Sequence, residues 1–464
     1  MLDPNILRTE PDRVRANLAR RNDPAVLALV DAFLRQDQQW RDLTQQVEKL
    51  RAERNTISRK IAELKKAGSA ATEELQYAAV LPQRIAQLDE QQQATAQKRD
   101  ATLMRIPNIL DASVPDGKDD TENRTIRLVG KKPKFAFPVQ SHVDLLAARD
   151  IADIERAAKI AGARFWFLKG DLARLDLALQ QYAVDFMAKR GYLLIRPPLM
   201  MARKPYEGVT DLKDFASVMY KIEGEDLYLI ATSEHPLTAM YMEEIIDPSQ
   251  LPFRMAGISP CFRKEAGAHG RDTKGIFRGH QFDKVEQIIL CKSEDSGKLH
   301  EELLKNAIDF FQSLGLHFRV VNICTGDIGN IATKKYDLEV WMPAQNTYRE
   351  VVSCSNCTDY QARRLQIRYR TPEGNRFVHT LNSTCVATSR ALVAILENFQ
   401  DAKGNVQIPR VLQPYVGGKK VIGSTQTPKK IKKIQGARKF AKKIREQKKR
   451  GTKAKKSVTQ RRER

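Results

Sequence analysis

Long apolar runs are missing from this chain: nothing approaches the ~20 consecutive residues that span a bilayer. The N-terminal run MLDPNILRTEPDRVRANLARR carries acids and helix formers where a secretory signal would place an apolar stretch. Both absences predict a soluble protein with no membrane partner. Cysteine is scarce, six residues in 464 and all within 261–385, which is no disulfide framework and predicts a reducing, cytoplasmic setting. Acidic residues are almost absent from 419–464, where 20 Lys and Arg face only Glu446 and Glu463. That stretch holds 18 of the 23 net positive charges, so the body before it is only mildly cationic. A hydrophobic content of 42% is ample for a folded core. The length predicts two or three domains at about 150 residues each.

Patterning divides the chain into four stretches. In residues 1–112 the positions Trp40, Leu43, Val47, Leu50, Arg54, Ile57, Ile61 and Leu64 alternate steps of three and four, a heptad seam with one charged interruption. Lys65-Lys66-Ala67-Gly68 then supplies a cationic last turn and a glycine stop. A second helix is expected from about Thr72 to Ile106. Leu81, Ile85 and Leu88 continue the seam, Gln92, Thr95 and Arg99 break it, and Pro82 should kink or delay the helix. The pattern predicts an antiparallel helical hairpin that projects as an arm; a dimerising coiled coil fits the periodicity equally well. Residues 113–135 read as a polar linker.

The body, 136–415, contains a helix that Asp171 is expected to cap, with Leu172, Leu175, Leu179, Tyr182 and Phe186 on one face and Gly191 as the stop. Short β-type runs follow, YLLIRPPLM, DLYLIATS, KVEQIILC, FRVVNIC and TYREVVSC, with helical segments at 293–314 and 388–399. Strands that follow one another without a regular intervening helix predict an α+β fold with a largely antiparallel sheet. The basic tail, 416–464, has too few apolar residues to offset its ordering entropy and is expected to be disordered when free.

The densest chemistry lies in CFRKEAGAHGRDTKGIFRGHQFDKVE, residues 261–286. Arg263, Arg271 and Arg278 bring three permanent cations to one hairpin, and guanidinium forks grip phosphate oxygens bidentately. Gly267, Gly270 and Gly275 permit close backbone approach, and Phe282 offers a stacking face for a base. The alternative is a surface hairpin laced with salt bridges. Arg390 stands near the start of an apolar helix, where helix dipole and guanidinium act together on phosphate. Glu350 and Ser353 end a strand-like run as hard oxygen ligands suited to Mg²⁺. Cys354 and Cys357 form a CxxC without a second pair to complete a zinc site; they read as two partly buried thiols, and no structural zinc is expected. No HExxH, Walker loop, Rossmann fingerprint or Ser-His-Asp spacing is present.

With those motifs in order, the body resembles the catalytic domain of class II aminoacyl-tRNA synthetases, and specifically the seryl-tRNA synthetase family in its archaeal and eukaryotic wording. Helix 171–190 with GYLLIRPPLM is similar to the family's dimer-interface motif, FRKEAGAHGRDTKGIFRGHQFDKVE to its second motif, and LNSTCVATSRALVAILENFQ to its third. Thr232, Ser233 and Glu234 resemble the TxE serine-binding loop, and the hairpin resembles the tRNA-binding arm. The resemblance implies ATP-dependent activation of L-serine and transfer to tRNA(Ser), with tRNA(Sec) an open further substrate, by a cytoplasmic homodimer using Mg²⁺. It implies ATP contacts from Arg263, Lys264, Glu265, Arg271, Phe282, Glu350, Val351, Val352, Ser353 and Arg390. It implies serine contacts from Thr232, Ser233, Glu234, Arg263, Glu286 and Thr384, catalysis by Arg263, Glu265 and Arg390, and Mg²⁺ ligation by Glu350 and Ser353. For the tail, an auxiliary electrostatic clamp on RNA competes with an address signal, ribosome association or a solubilising extension. A carrier-protein ligase would lack the arm, and a non-catalytic RNA-binding paralogue would show broken motifs.

Overall fold

A computed structural model describes residues 1–211, 217–265 and 274–422. The basic tail beyond residue 422 and Arg271 lie outside the described residues.

The arm consists of α1 (Pro24–Lys66) and α2 (Thr72–Leu103), packed along their length. At 1.5 Å per residue α1 extends for roughly 65 Å. Asp23 caps it, accepting the Ala25 N–H, and Pro24 opens its first turn. Contrary to the expected delay, α2 runs through Pro82 from Thr72 onward. The neighbouring Leu81 is fully buried with Ile85 against Leu50 of α1, so tertiary packing offsets the lost backbone donor.

The polar positions of α2 also belong to the seam, which corrects the reading that they break it. Gln92 donates to Thr44 at 2.7 Å, Thr95 is buried, and the Arg99 guanidinium lies 4.1 Å from the centre of the Trp40 ring. Asp37, 1% exposed, accepts from Arg8 through both carboxylate oxygens at 2.8 and 2.7 Å and faces Arg41 at 3.3 Å. The arm therefore changes from an apolar seam toward its tip to a charged joint near its base. A buried carboxylate of this kind fixes register more than it adds stability.

Eight strands form the main sheet: β1 (Arg124–Val129), β2 (Leu193–Ile195), β3 (Phe253–Phe262), β4 (Gln281–Cys291), β5 (Phe318–Asn322), β6 (Lys334–Met342), β7 (Thr347–Asn356) and β8 (His379–Ala387). Their spatial order is β1-β5-β6-β7-β8-β4-β3-β2, antiparallel throughout except for β2 beside β3. The stretch read as a linker thus contributes β1, an edge strand paired with β5. The β-prone run Thr-Ile-Arg-Leu-Val was masked by the charges around it.

One face of the sheet carries the larger core, built by α3 (Gly170–Ala188), α4 (Ser296–Ser313) and α5 (Thr388–Asn398) over Val285, Ile289, Leu338, Val340, Val352 and Cys354. Asp171 does not cap α3: the helix begins at Gly170, and Asp171 pairs with Lys419 at 2.5 Å from within the first turn. The opposite face is covered only in part, around Tyr206, Ile288, Leu290 and Leu365, and elsewhere it opens into a cavity. All six cysteines are free and buried; Cys354 and Cys357 are sealed in the interior rather than partly buried, and burial pushes both thiols up. Among the described residues no helix is long and apolar enough to cross a membrane.

Candidate active site

Two irregularities in the sheet build the cavity. Along β6 and β7, Leu338 lies opposite Val352 but Glu339 lies opposite Glu350, so Val351 is an extra residue. In an unbroken strand, side chains three positions apart point to opposite faces. The extra residue returns Glu350 to the face of Ser353, and both line the cavity. On β8, Thr384 faces Glu286 across the ladder while Val386 faces Val285, which makes Cys385 the extra residue. Asn382, Thr384 and Ala387 consequently share the cavity wall while the Cys385 side chain joins the core.

The cavity measures about 270 Å³. At one end Arg390, in the first turn of α5, donates to the Glu350 carbonyl at 3.0 Å and faces its carboxylate at 3.2 Å. Its guanidinium stacks 5.3 Å from the Phe277 ring centre. Arg263, just beyond β3, donates through Nε to the Ala231 carbonyl at 3.2 Å and stands 5.5 Å from the centre of the Phe282 ring. Arg278 pairs with Glu265 at 2.7 Å. Burial works against ionisation of Glu350, but the charges of Arg390, Lys335 and Arg263 outweigh it and hold the carboxyl down to about 2. The two arginines Arg263 and Arg390 therefore share one chamber, with an aromatic ring beside each.

At the other end the charges are deeper. Lys284 and Glu286 are both buried and paired at 2.5 Å, and Thr384 donates to the same Glu286 oxygen at 3.3 Å. Asn382 donates to Glu234 at 3.0 Å. Burial, reinforced by the nearby Glu286 charge, raises the Glu234 carboxyl to about 7. Glu234 opens the short helix Glu234–Ala239, and its N–H donates to the Thr232 hydroxyl at 3.1 Å.

Most of the expected residues converge on this chamber: Glu234, Arg263, Glu265, Phe282, Glu286, Glu350, Val351, Ser353, Thr384 and Arg390 all line it. Thr232, Ser233, Lys264 and Val352 do not. Thr232 is engaged with the Glu234 backbone, Ser233 is buried against Gly257, Lys264 donates its backbone N–H to Val218, and Val352 faces the core. The sequence reading missed Lys284, Asn382, Lys335 and Phe277 as lining residues. Lys284 and Asn382 stand two positions before Glu286 and Thr384, so strand alternation carried a signal for them. Lys335 and Phe277 reach the cavity only through the fold.

Comparison with known proteins identifies the family and the fold. The tRNA synthetase class II core domain (G, H, P, S and T) family matches residues 219–399, and the seryl-tRNA synthetase N-terminal domain matches residues 1–110. The serine--tRNA ligase of Methanocella arvoryzae is 56% identical over 421 residues, covering 90% of this chain and 99% of the relative. The crystal structure of seryl-tRNA synthetase from Pyrococcus horikoshii complexed with ATP superposes with a TM-score of 0.88 at 45% identity, covering 92% of this chain and 100% of that one. The cytoplasmic serine-tRNA ligase from Naegleria fowleri in complex with AMP gives a TM-score of 0.83 at 37% identity, covering 92% of this chain and 99% of that one. Matched along nine-tenths of its length by these relatives, this chain belongs to the seryl-tRNA synthetase family.

Proposed function

We propose that this protein activates L-serine with ATP to form seryl-adenylate and then transfers the seryl group to the 3′-terminal ribose of tRNA(Ser). The observation that carries the reading is a single chamber with guanidinium groups at one end and a carboxylate–hydroxyl–amide wall at the other. Arg263 would hold the α-phosphate, where negative charge builds as the serine carboxylate attacks phosphorus and pyrophosphate departs. Arg390 and Arg271 would hold the outer phosphates. Phe282 and Glu265 would receive the adenosine, beside Val351. Positioning and charge complementarity then supply the rate without a covalent enzyme intermediate.

Glu234 would take the serine ammonium and Glu286 with Thr384 its hydroxyl; the Thr232 hydroxyl, accepting from the Glu234 N–H, would act by fixing the backbone that carries that carboxylate. A wall built to hydrogen-bond a hydroxyl rejects alanine by roughly 10⁴ to 10⁵, because its groups would be left unpaired. Glu350 and Ser353 suit Mg²⁺, being an ionised carboxylate and a hydroxyl on one sheet face. When bound, the ion neutralises and aligns phosphate oxygens.

A cytoplasmic homodimer is part of the same proposal. Leu177 on α3 and Leu193 on β2 expose large apolar side chains, Leu193 to 62%, along the helix and strand that resemble the family's dimer motif. The tail is proposed as an electrostatic clamp on tRNA. Each phosphate contact contributes about 0.7–0.9 to the slope of log affinity against log salt. Deleting 423–464 should flatten that slope for tRNA binding; an unchanged slope would rule the clamp out. The central test is serine-dependent ATP–pyrophosphate exchange, repeated with threonine, alanine and cysteine, followed by transfer to tRNA(Ser) and tRNA(Sec). No serine-dependent exchange would refute the activation step.

A further inference from the structure

Gly275 begins the segment that returns from the glycine-rich stretch to β4, and its φ of +84° is a left-handed conformation open to glycine. A side-chain carbon built there would fall 2.1 Å from the ring nitrogen Nε2 of His142. The return segment therefore rests directly on the His142 ring, with room for hydrogen only. His142 is 5% exposed, and Nε2 is buried without a hydrogen-bond partner among the described residues. Its other ring nitrogen, Nδ1, is 2.8 Å from Glu397 Oε1.

Glu397 is fully buried and accepts more than this one contact. The backbone N–H of His142 donates to Oε1 at 3.2 Å, and that of Ala344 donates to Oε2 at 3.3 Å. The first of these N–H groups lies in the opening turn of the helix His142–Arg149, where backbone donors lack intrahelical partners. A carboxylate at a helix start is also favoured by the dipole. Glu397 thus locks the ring and the helix start together.

Glu397 and Arg390 lie on the same helix, α5, seven residues and two turns apart, hence on one side of it. From Gly275 the chain reaches Phe277, whose ring lies under the Arg390 guanidinium, and then Arg278, which holds Glu265. The contacts close a circuit: Arg390, α5, Glu397, His142, Gly275, Phe277 and back to Arg390. Two parts of the chamber that are far apart in sequence are thereby held at a set spacing by a histidine outside it.

We infer that His142, clamped by Glu397, is a positioning residue that sets the slot between Arg390 and Phe277–Arg278 in which the ATP end of the chamber is formed. Among the described residues its hydrogen bonds run to Glu397 and none to the serine end, so its effect should fall mainly on the nucleotide. The inference rests on the proposal that this chamber binds ATP.

His142→Ala should raise the ATP KM of pyrophosphate exchange about 10- to 100-fold, the scale of a misplacement relayed from outside the site. The serine KM should stay within about twofold, a split that a general loss of folding would not produce. Direct ATP binding by calorimetry, without serine, should weaken in parallel. Thus failure of serine activation in the wild type would be told apart from failure of the positioning role. His142→Asn retains a donor for Glu397 and should recover most of the ATP affinity. Glu397→Gln should reproduce the ATP-selective loss if His142→Ala does not accumulate as folded protein. An unchanged ATP KM and dissociation constant in a folded variant, or equal increases in the ATP and serine KM values, would overturn the inference.

Discussion

The two ends of the chamber use the same side chain to opposite effect. Glu350 is held ionised, down to about 2, because Arg390, Lys335 and Arg263 outweigh the cost of its burial. Glu234 is raised to about 7 because burial dominates and its charged neighbour Glu286 is of like sign. Fixed cations suit one end to a polyanion. The carboxylates Glu234 and Glu286 suit the other end to a cationic group such as an ammonium. Electrostatic surroundings, not residue type, assign the roles.

The contrast can be broken most severely at the cationic end. Arg263→Ala should lower adenylate formation by about 10³-fold or more, since a preorganised donor to developing charge is lost. Binding of tRNA through the arm should be largely retained, and exchange kinetics with a filter-binding measurement would check both. Substantial exchange in the variant would remove Arg263 from its proposed place.

A smaller effect is expected at the serine end. Thr384→Ala leaves Glu286 its Lys284 partner but removes one hydroxyl from the wall. The serine KM should rise by about tenfold, in line with a hydrogen bond to a charged group, and discrimination against alanine should relax. Comparing kcat/KM for the two amino acids measures it directly.

The gentlest test sharpens the comparison by pH. A free-enzyme Glu234 near 7 is largely protonated below that value and ionised above it, so affinity for the serine ammonium should increase as pH rises through 7. Bound ammonium favours the ionised form, which pulls the inflection lower in the complex. Serine KM measured from about pH 6 to 8 should fall several-fold, and Glu234→Gln should abolish the inflection. Glu350 is already ionised across that range, so the ATP KM should not follow the same curve.

Much of this arrangement was legible from residue order. The heptad steps from Trp40 to Leu64 call for a long helix whatever surrounds it, and the strand-rich body calls for an antiparallel sheet. Motif composition also named Arg263, Glu350 and Arg390, because a chemistry that needs cations and a carboxylate restricts the residue types that serve it, whereas Thr384 was implied only by the family resemblance. What sequence spacing could not determine was facing. Glu350 and Ser353, three positions apart, share a side only because Val351 is an extra residue in β7. The polar members of α2 turn inward because Asp37, Trp40 and Thr44 wait for them on α1. His142 meets Gly275 and Glu397, each more than a hundred residues away, through contacts with no periodic trace in the chain. Period and composition act over a few turns of backbone. Register shifts, buried charge and close approach between distant segments are settled only when the whole sheet is assembled.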